Sequence, residues 1–310
     1  MTSAEKNAPD AVLLLAHGSP DSPDEVPEFL LRVTGGRELP PEVIEEVTRR
    51  YAQIGRSPLT EITLRQGELL ASRLAMPVYV GMRNWQPTVS QTLQRMVSDG
   101  IHRAVVICMA PQNSRTSVGL YRTSLRACAD AEIEFDFVES WHDQPFLIQA
   151  FADKLKRGRE KARREAGSEL PVIFTAHSVP QRTIVEGDPY EVQANRTAEL
   201  VAAAAAIERS ERRFAFQSQG MSGGAWLGPT VEATIKELAR SGHSAVFIQP
   251  IGFVCDHVEV LYDIDIGFKQ FAEKEGMRLW RAESLNDSPL LISALAEIVK
   301  SRSKAAAKAQ

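Results

Sequence analysis

The sequence predicts an α/β protein of two halves, each a parallel sheet flanked by helices, the second a duplicate of the first. Three observations predict it. Strand-like and helix-like runs alternate along nearly the whole chain, the two halves repeat each other's letters, and 310 residues are too many for one small core but suit two medium ones.

In chain order, strand-like runs recur at 12–16, 77–80, 104–109 and 133–138, and again at 172–175, 214–217, 245–250 and 278–281. Val172, Ile173 and Phe174 form the kind of continuous apolar run that is buried on both faces. Apolar residues at helical spacing mark helices over 59–74, 89–97, 118–129, 145–162, 231–238 and 258–271. The alanine-rich run 201–207 reads as a further helix, and the Lys/Ala tail 301–310 as a fraying helix end. Alternation of this kind implies right-handed crossovers between parallel strands.

The repeat is visible in letters. LLLAHGSP at 13–20 matches IFTAHSVP at 173–180, and WQPTVSQTLQRMVSDGIHRAVVICMAP at 85–111 matches WLGPTVEATIKELARSGHSAVFIQP at 226–250. The duplication places His17 and His177 at equivalent strand ends, expected to face a shared cleft. The charged stretch 157–170 is the expected joint, giving a first domain over 1–160 and a second over 161–310. Residues 20–57 form a long excursion after the first strand, with a short amphipathic piece at 42–52, and are expected to serve as a lid or binding wall.

Composition excludes several classes. A hydrophobic content of 44% with 25% charge is that of a water-soluble globular chain. A net charge of −4 attracts neither nucleic acid nor anionic lipid at long range, so an acidic ligand must be held by local arginines. The longest early apolar run, 11–16, is too short for a leader, and nothing approaches the ~20 apolar residues that cross a bilayer. Cys108, Cys128 and Cys255 are odd in number and contain no CxxC pair, which fits a reducing cytoplasm and argues against a thiolate zinc site or an iron–sulfur cluster.

Chemistry is expected where the strands end, because open parallel sheets bind ligands at their carboxyl edge. His177 stands there. Its alternative role is to cap the strand. The loop 217–230 is glycine-rich without GxGxxG or a P-loop pattern, so its Trp226 suits a flat apolar ligand or anchors the next helix. In 250–265, Asp256, His257, Glu259, Asp263 and Asp265 crowd the start of a helix, with Glu259 and Asp263 spaced i, i+4 on one face. Like charges so placed repel, and a divalent metal or a passing proton relieves them.

Taken together, HSVPxxxxxxGDPY, the QSQGxxxxxWLGP loop and PIGFVxDHxEVLYDxD, with LLLAHGSP, RYAQIGRSPLTEIT at 50–63 and VESWHDQP at 138–145, resemble the ferrochelatases, which insert Fe²⁺ into a porphyrin to make haem. The resemblance covers nearly the whole chain and implies two Rossmann-like halves enclosing a porphyrin cleft. It assigns His177 and Glu259 as the catalytic pair that handles metal and protons. It assigns Arg50, Tyr51, Ser57 and Tyr121 to contacts with the porphyrin and its propionates, and puts His17 beside the substrate. It implies porphyrin and Fe²⁺ as substrates, no permanently bound cofactor, and transient contact with neighbouring haem-pathway enzymes.

The chain departs from the family at three places. His17 stands where the similar soluble enzymes carry tyrosine, Thr34 where they carry a propionate-contacting arginine, and Gly267 where they carry a further carboxylate. The short, charged stretch 29–56 is more like that of the soluble enzymes that metallate coproporphyrin III than the apolar lip of those taking protoporphyrin. Coproporphyrin III is therefore the expected substrate, ahead of protoporphyrin IX. Two rival functions are a cobalt or nickel chelatase of a reduced tetrapyrrole, to which AHGS at His17 is similar, and a haem-binding protein without turnover.

Overall fold

A computed structural model describes residues 8–128, 133–219 and 224–308. The chain forms two compact units, one of Met1–Pro111, Ser117–Trp141 and Asn286–Gln310, the other of Gln112–Thr116 and His142–Leu285. Each is an α/β unit with a four-stranded parallel sheet.

In the first unit the strands β1 (Ala11–Ala16), β2 (Val78–Met82), β3 (Arg103–Cys108) and β4 (Glu134–Val138) lie in the order β2-β1-β3-β4. Every residue of central β1 is buried, as its unbroken apolar sequence requires. Helices α1 (Val26–Val33), α2 (Pro41–Ile54), α3 (Leu59–Leu74), α4 (Val89–Ser98) and α5 (Val118–Cys128) belong to the same unit. Leu13, Leu15 and Val106 pack against Leu93 and Met96 of α4, each contributing about 2 kcal/mol by leaving water. The stretch 20–57 folds as α1 and α2, so the amphipathic piece at 42–52 is the middle of α2.

In the second unit β5 (Val172–His177), β6 (Arg212–Gln217), β7 (Ala245–Pro250) and β8 (Arg278–Arg281) lie in the order β6-β5-β7-β8. That is the strand order of the first unit again. Its helices are α6 (Pro145–Ala166), α7 (Gln181–Val185), α8 (Tyr190–Ala205), α9 (Val231–Arg240), α10 (Val258–Leu261) and α11 (Lys269–Lys274). The repeat reaches individual caps. Thr88 and Thr230, matched in the two WxxPT-like stretches, each accept a backbone N–H at 3.2 Å, from Gln91 before α4 and from Ala233 before α9.

The units do not divide at 157–170. That stretch lies largely inside α6, whose charged residues other than Arg159 lie mostly toward solvent while Leu155 and Ala162 are buried, and Gly167 closes the helix with φ 69°. Helix α6 packs on α8 and β8, so the second unit begins before it. Gln112 donates to Thr197 Oγ1 at 3.1 Å and to the Ile251 carbonyl at 3.0 Å, tying 112–116 to that unit. The last helix, Pro289–Lys308, returns to the first unit and packs on α3, and Gln66 Nε2 donates to the Asn286 carbonyl at 2.6 Å.

The helix expected over 258–271 is interrupted. Between α10 and α11 the chain makes a π-helical turn, Asp263–Phe268, in which Gly267 N–H reaches the Tyr262 carbonyl at 2.9 Å. The apolar spacing explains it. Val260, Ile264, Phe268 and Ala272 all enter one core cluster, each four residues after the last. At 3.6 residues per turn every such step drifts by about 40°, and three steps would carry the last residue off the core face. One wider turn restores the phase, and such turns often mark functional sites.

Among the described residues no helix is long and apolar enough to cross a membrane, and the three cysteines are free.

Candidate functional site

His177 ends β5, and its neighbours fix it from the backbone outward. Its carbonyl accepts the Tyr190 hydroxyl at 2.9 Å, and its ring Nδ1 bonds the Ser178 carbonyl. With Nδ1 so occupied, Nε2 is the nitrogen turned to Glu259, 3.4 Å from Oε1. Glu259 lies in the first turn of α10, and Gln217 holds that turn to the sheet. The Gln217 amide donates to the Glu259 carbonyl at 2.9 Å while its oxygen accepts the Thr175 hydroxyl at 2.7 Å. Gly252 lets the loop after β7 pass β5, since a Cβ there would sit 3.1 Å from that of Ala176.

A second histidine completes the arrangement. His257 Nε2 lies 3.5 Å from Glu259 Oε2, its Nδ1 is 3.1 Å from the Cys255 carbonyl, and its ring meets Phe253 edge-on at 4.4 Å. One carboxylate thus faces two imidazoles. Asp263 accepts the Ser218 hydroxyl. Among the described residues no three His, Cys, Asp or Glu side chains form a metal cage.

The His177 and Glu259 side chains retain 31% and 33% exposure, so solvent or a ligand reaches both. Burial by itself would lower the His177 pKa. The charge and hydrogen bond of Glu259, the Ser178 carbonyl and the Asp263 charge outweigh it and raise the group to about 9. Burial pushes Glu259 upward, but the two histidines prevail and hold it well below the carboxylate range. At neutral pH the resting pair is imidazolium and carboxylate. The elevated His177 pKa stabilises the fold fully below the unfolded value of about 6.5, and that stability is lost as pH rises through 9. The melting-temperature advantage of the wild type over His177→Gln is accordingly expected to shrink between about pH 6.5 and pH 9, which paired melts across that range would measure.

Trp226 stands with its ring centroid 6.5 Å from that of His177. Its loop is stitched to the segment after β5, with Leu227 N–H on the Val179 carbonyl at 3.0 Å and the Ser178 hydroxyl on the Leu227 carbonyl at 2.9 Å. Residues 220–223 of the glycine-rich stretch lie outside the described residues.

The other expected residues all belong to the first unit. His17 ends β1, its Nε2 3.0 Å from the Asn84 amide nitrogen and its Nδ1 3.1 Å from the Gly18 carbonyl. Gly18 turns the chain there with φ 82°, and a Cβ would strike that of Trp85 at 2.7 Å. Phe29 packs edge-on against His17 and Tyr51, and the Tyr51 hydroxyl is 3.3 Å from that of Ser19. Arg50 bonds Glu46 on its own helix at 2.8 Å with 40% of its side chain exposed. Ser57 is buried, with no hydrogen-bond partner for its hydroxyl among the described residues. The Thr34 hydroxyl lies among the carbonyls of Leu30, Leu31 and Arg37.

One residue escapes a sequence reading. Arg83 follows β2, its guanidinium 5.9 Å from the Tyr121 ring centre, with no side-chain hydrogen bond or carboxylate partner among the described residues. Burial lowers its pKa. A half-buried cation of this kind suits a carboxylate supplied from outside. Nothing in MRNW announces it. His257 was legible as part of the acidic crowd, but only the fold turns it onto Glu259.

Comparison with known proteins agrees with the geometry. A family model described as Ferrochelatase matches residues 9–303. The chain is 53% identical over 306 residues to the ferrochelatase of Acidobacterium capsulatum, covering 94% of each. It is 33% identical over 303 residues to the coproporphyrin III ferrochelatase of Geobacillus thermodenitrificans, covering 94% of this chain and 95% of the other. Among solved structures, SirB from Bacillus subtilis with Fe³⁺ superposes with a TM-score of 0.57 at 12% identity, covering 94% of this chain and 95% of that one, which shows a shared fold. A match of this extent, with relatives this similar over nearly their full length, means that the chain belongs to the ferrochelatase family.

Proposed function

We propose that this protein inserts Fe²⁺ into coproporphyrin III, releasing two protons, with His177 and Glu259 as the catalytic residues. The observation that carries the reading is the pairing of His177 with Glu259 in the second unit, 3.4 Å apart and each one-third exposed. Two pyrrole protons must leave as the ion enters, so the site needs a base and a group that holds Fe²⁺ loosely. A carboxylate does the second without the grip of thiolate. In the resting pair His177 carries a proton and cannot act as base. Fe²⁺ engaging Glu259 withdraws the negative charge that raises His177, so the imidazole sheds its proton and becomes competent to take one from the ring. Iron here is a substrate.

Three features support coproporphyrin, whose propionates need polar anchors: the cation of Arg83 without a carboxylate partner among the described residues, the buried Ser57 hydroxyl, and relatives named for that substrate. Tyr121, beside Arg83, and Tyr51 line the same strand-end region of the first unit as His17. Arg50 reaches a propionate only by leaving Glu46. The proposed address is the cytoplasm, and contacts with neighbouring haem-pathway enzymes are proposed as transient.

Anaerobic Fe²⁺ offered with coproporphyrin III or protoporphyrin IX in parallel tests the reading. A higher kcat/KM for coproporphyrin III is expected, and the reverse order overturns the substrate assignment. Arg83→Ala is expected to raise the KM for coproporphyrin III about tenfold, equivalent to about 1.4 kcal/mol, with kcat little changed.

A further inference from the structure

We propose that Arg281 is a positioning residue for iron insertion, its one guanidinium holding both ends of the segment that carries His257, Glu259 and Asp263. This rests on the chelatase reading above for its effect on turnover, but not for the clamp itself.

The geometry is specific. Arg281 closes β8 with its side chain only 14% exposed. Its Nε and Nη2 donate to the two oxygens of Asp265 at 2.6 and 2.8 Å, a bidentate pair. Nη2 also reaches Asp256 Oδ1 at 3.3 Å, an oxygen that accepts the Ser284 hydroxyl at 2.7 Å, and Nη1 donates to the Ala282 carbonyl at 2.9 Å. Asp256 immediately precedes His257, and Asp265 sits inside the π turn two residues after Asp263. The guanidinium therefore ties the entry of α10 to the middle of the π turn.

That span needs a tie. A π turn is an uncommon backbone state beside an ordinary α-helix, and α10 contributes only four residues. The core side chains Val260, Ile264 and Phe268 fix which face points inward. On the polar face Gln217 holds the Glu259 carbonyl and Ser218 bonds the Asp263 carboxylate, and Arg281 adds the one tie that joins the two ends of the segment, through Asp256 and Asp265. Arg281 touches neither porphyrin nor metal in this account. It acts through the residues it orients, as outer hydrogen-bond partners of metal ligands do.

The test separates positioning from stability. Arg281→Met alone strands two carboxylates next to each other and is expected to lower the melting temperature. Arg281→Met/Asp265→Asn removes one of the two stranded charges, leaves Asp256 the Ser284 hydroxyl, and is expected to recover most of it. In that double variant, kcat for iron insertion is expected to stay 10- to 100-fold down, while coproporphyrin III affinity, read by fluorescence quenching, changes by less than about twofold. Arg281→Lys keeps the charge but not the fork and is expected to fold without regaining kcat. Amide exchange over 257–268 is expected to accelerate in both. Normal kcat in the melting-restored variant, or exchange over 257–268 as slow as in the wild type, overturns the proposal. Absence of iron insertion by the wild type would instead sink the function proposed above, and the exchange measurement would still decide the clamp.

Discussion

His177→Ala and Glu259→Ala are each expected to lower the rate of iron insertion by about 10³-fold or more while leaving coproporphyrin III binding within a few-fold. A positioned base is commonly worth about 10²–10⁴ in rate, and here the residue that receives the ion is lost as readily as the base. The two losses are not equivalent in their electrostatics. Without His177, Glu259 keeps His257 at 3.5 Å but loses the largest of the influences that hold its pKa down against burial. Without the Glu259 charge, His177 keeps the Ser178 carbonyl and Asp263, but its largest upward influence is gone and burial pulls it down. Glu259→Gln is therefore expected to bring the His177 titration from about 9 to a lower pH, measurable by NMR of the imidazole. An unchanged His177 titration in that variant would show that the pair is not coupled as the 3.4 Å separation implies. Turnover undiminished in His177→Ala would remove the proposed base.

Much of this fold was legible in letters, for reasons that can be named. The strand-order repeat follows from two matched runs of sequence, and β1, β5 and β7 were the plainest strands because parallel strands buried on both faces leave little choice of residue. The interruption of 258–271 was also written there, in apolar residues spaced by four rather than by three and four. A helical template accepts that spacing over one turn and fails over three. The unit boundary was not legible. The charge-rich stretch 157–170 looks the same whether it is a linker or the solvent face of a long helix, and only packing of α6 on α8 decides. For the site, the sequence supplied His177 and Glu259 but not the direction each faces. Arg50 shows the limit most clearly, because its bond to Glu46 at i, i+4 is as readable as its match to a propionate contact. Arg83 was invisible, since an arginine's lack of a partner is a property of three dimensions.

Asp188, in the GDPY stretch, is expected to be the costliest single polar change in the second unit. Its carboxylate is 5% exposed and accepts three hydrogen bonds: from the Ser114 hydroxyl at 3.1 Å, the Arg115 N–H at 2.7 Å and the Tyr190 N–H at 3.0 Å. Alanine there leaves the Arg115 and Tyr190 N–H groups without that acceptor, while the Ser114 hydroxyl keeps Thr116 Oγ1 at 2.9 Å. At about 1–2 kcal/mol for each N–H, Asp188→Ala is expected to cost about 3 kcal/mol, read as a shift of the denaturant midpoint at unchanged slope. Asp188→Asn keeps the shape but sets an NH₂ against one donor, and is expected to fall between the two. The damage should travel to the chemistry by a traceable route. Tyr190 starts α8, and its hydroxyl bonds the carbonyl of His177 at 2.9 Å, so freeing the helix start loosens the histidine from behind. Tyr190→Phe isolates that last link. It removes one hydrogen bond and leaves the Asp188 network whole, so it is expected to cost only about 1 kcal/mol in stability yet lower kcat severalfold. If Tyr190→Phe turned over at the wild-type rate, the route from GDPY to His177 would be packing alone, and the loss of activity in Asp188→Ala would be a consequence of unfolding.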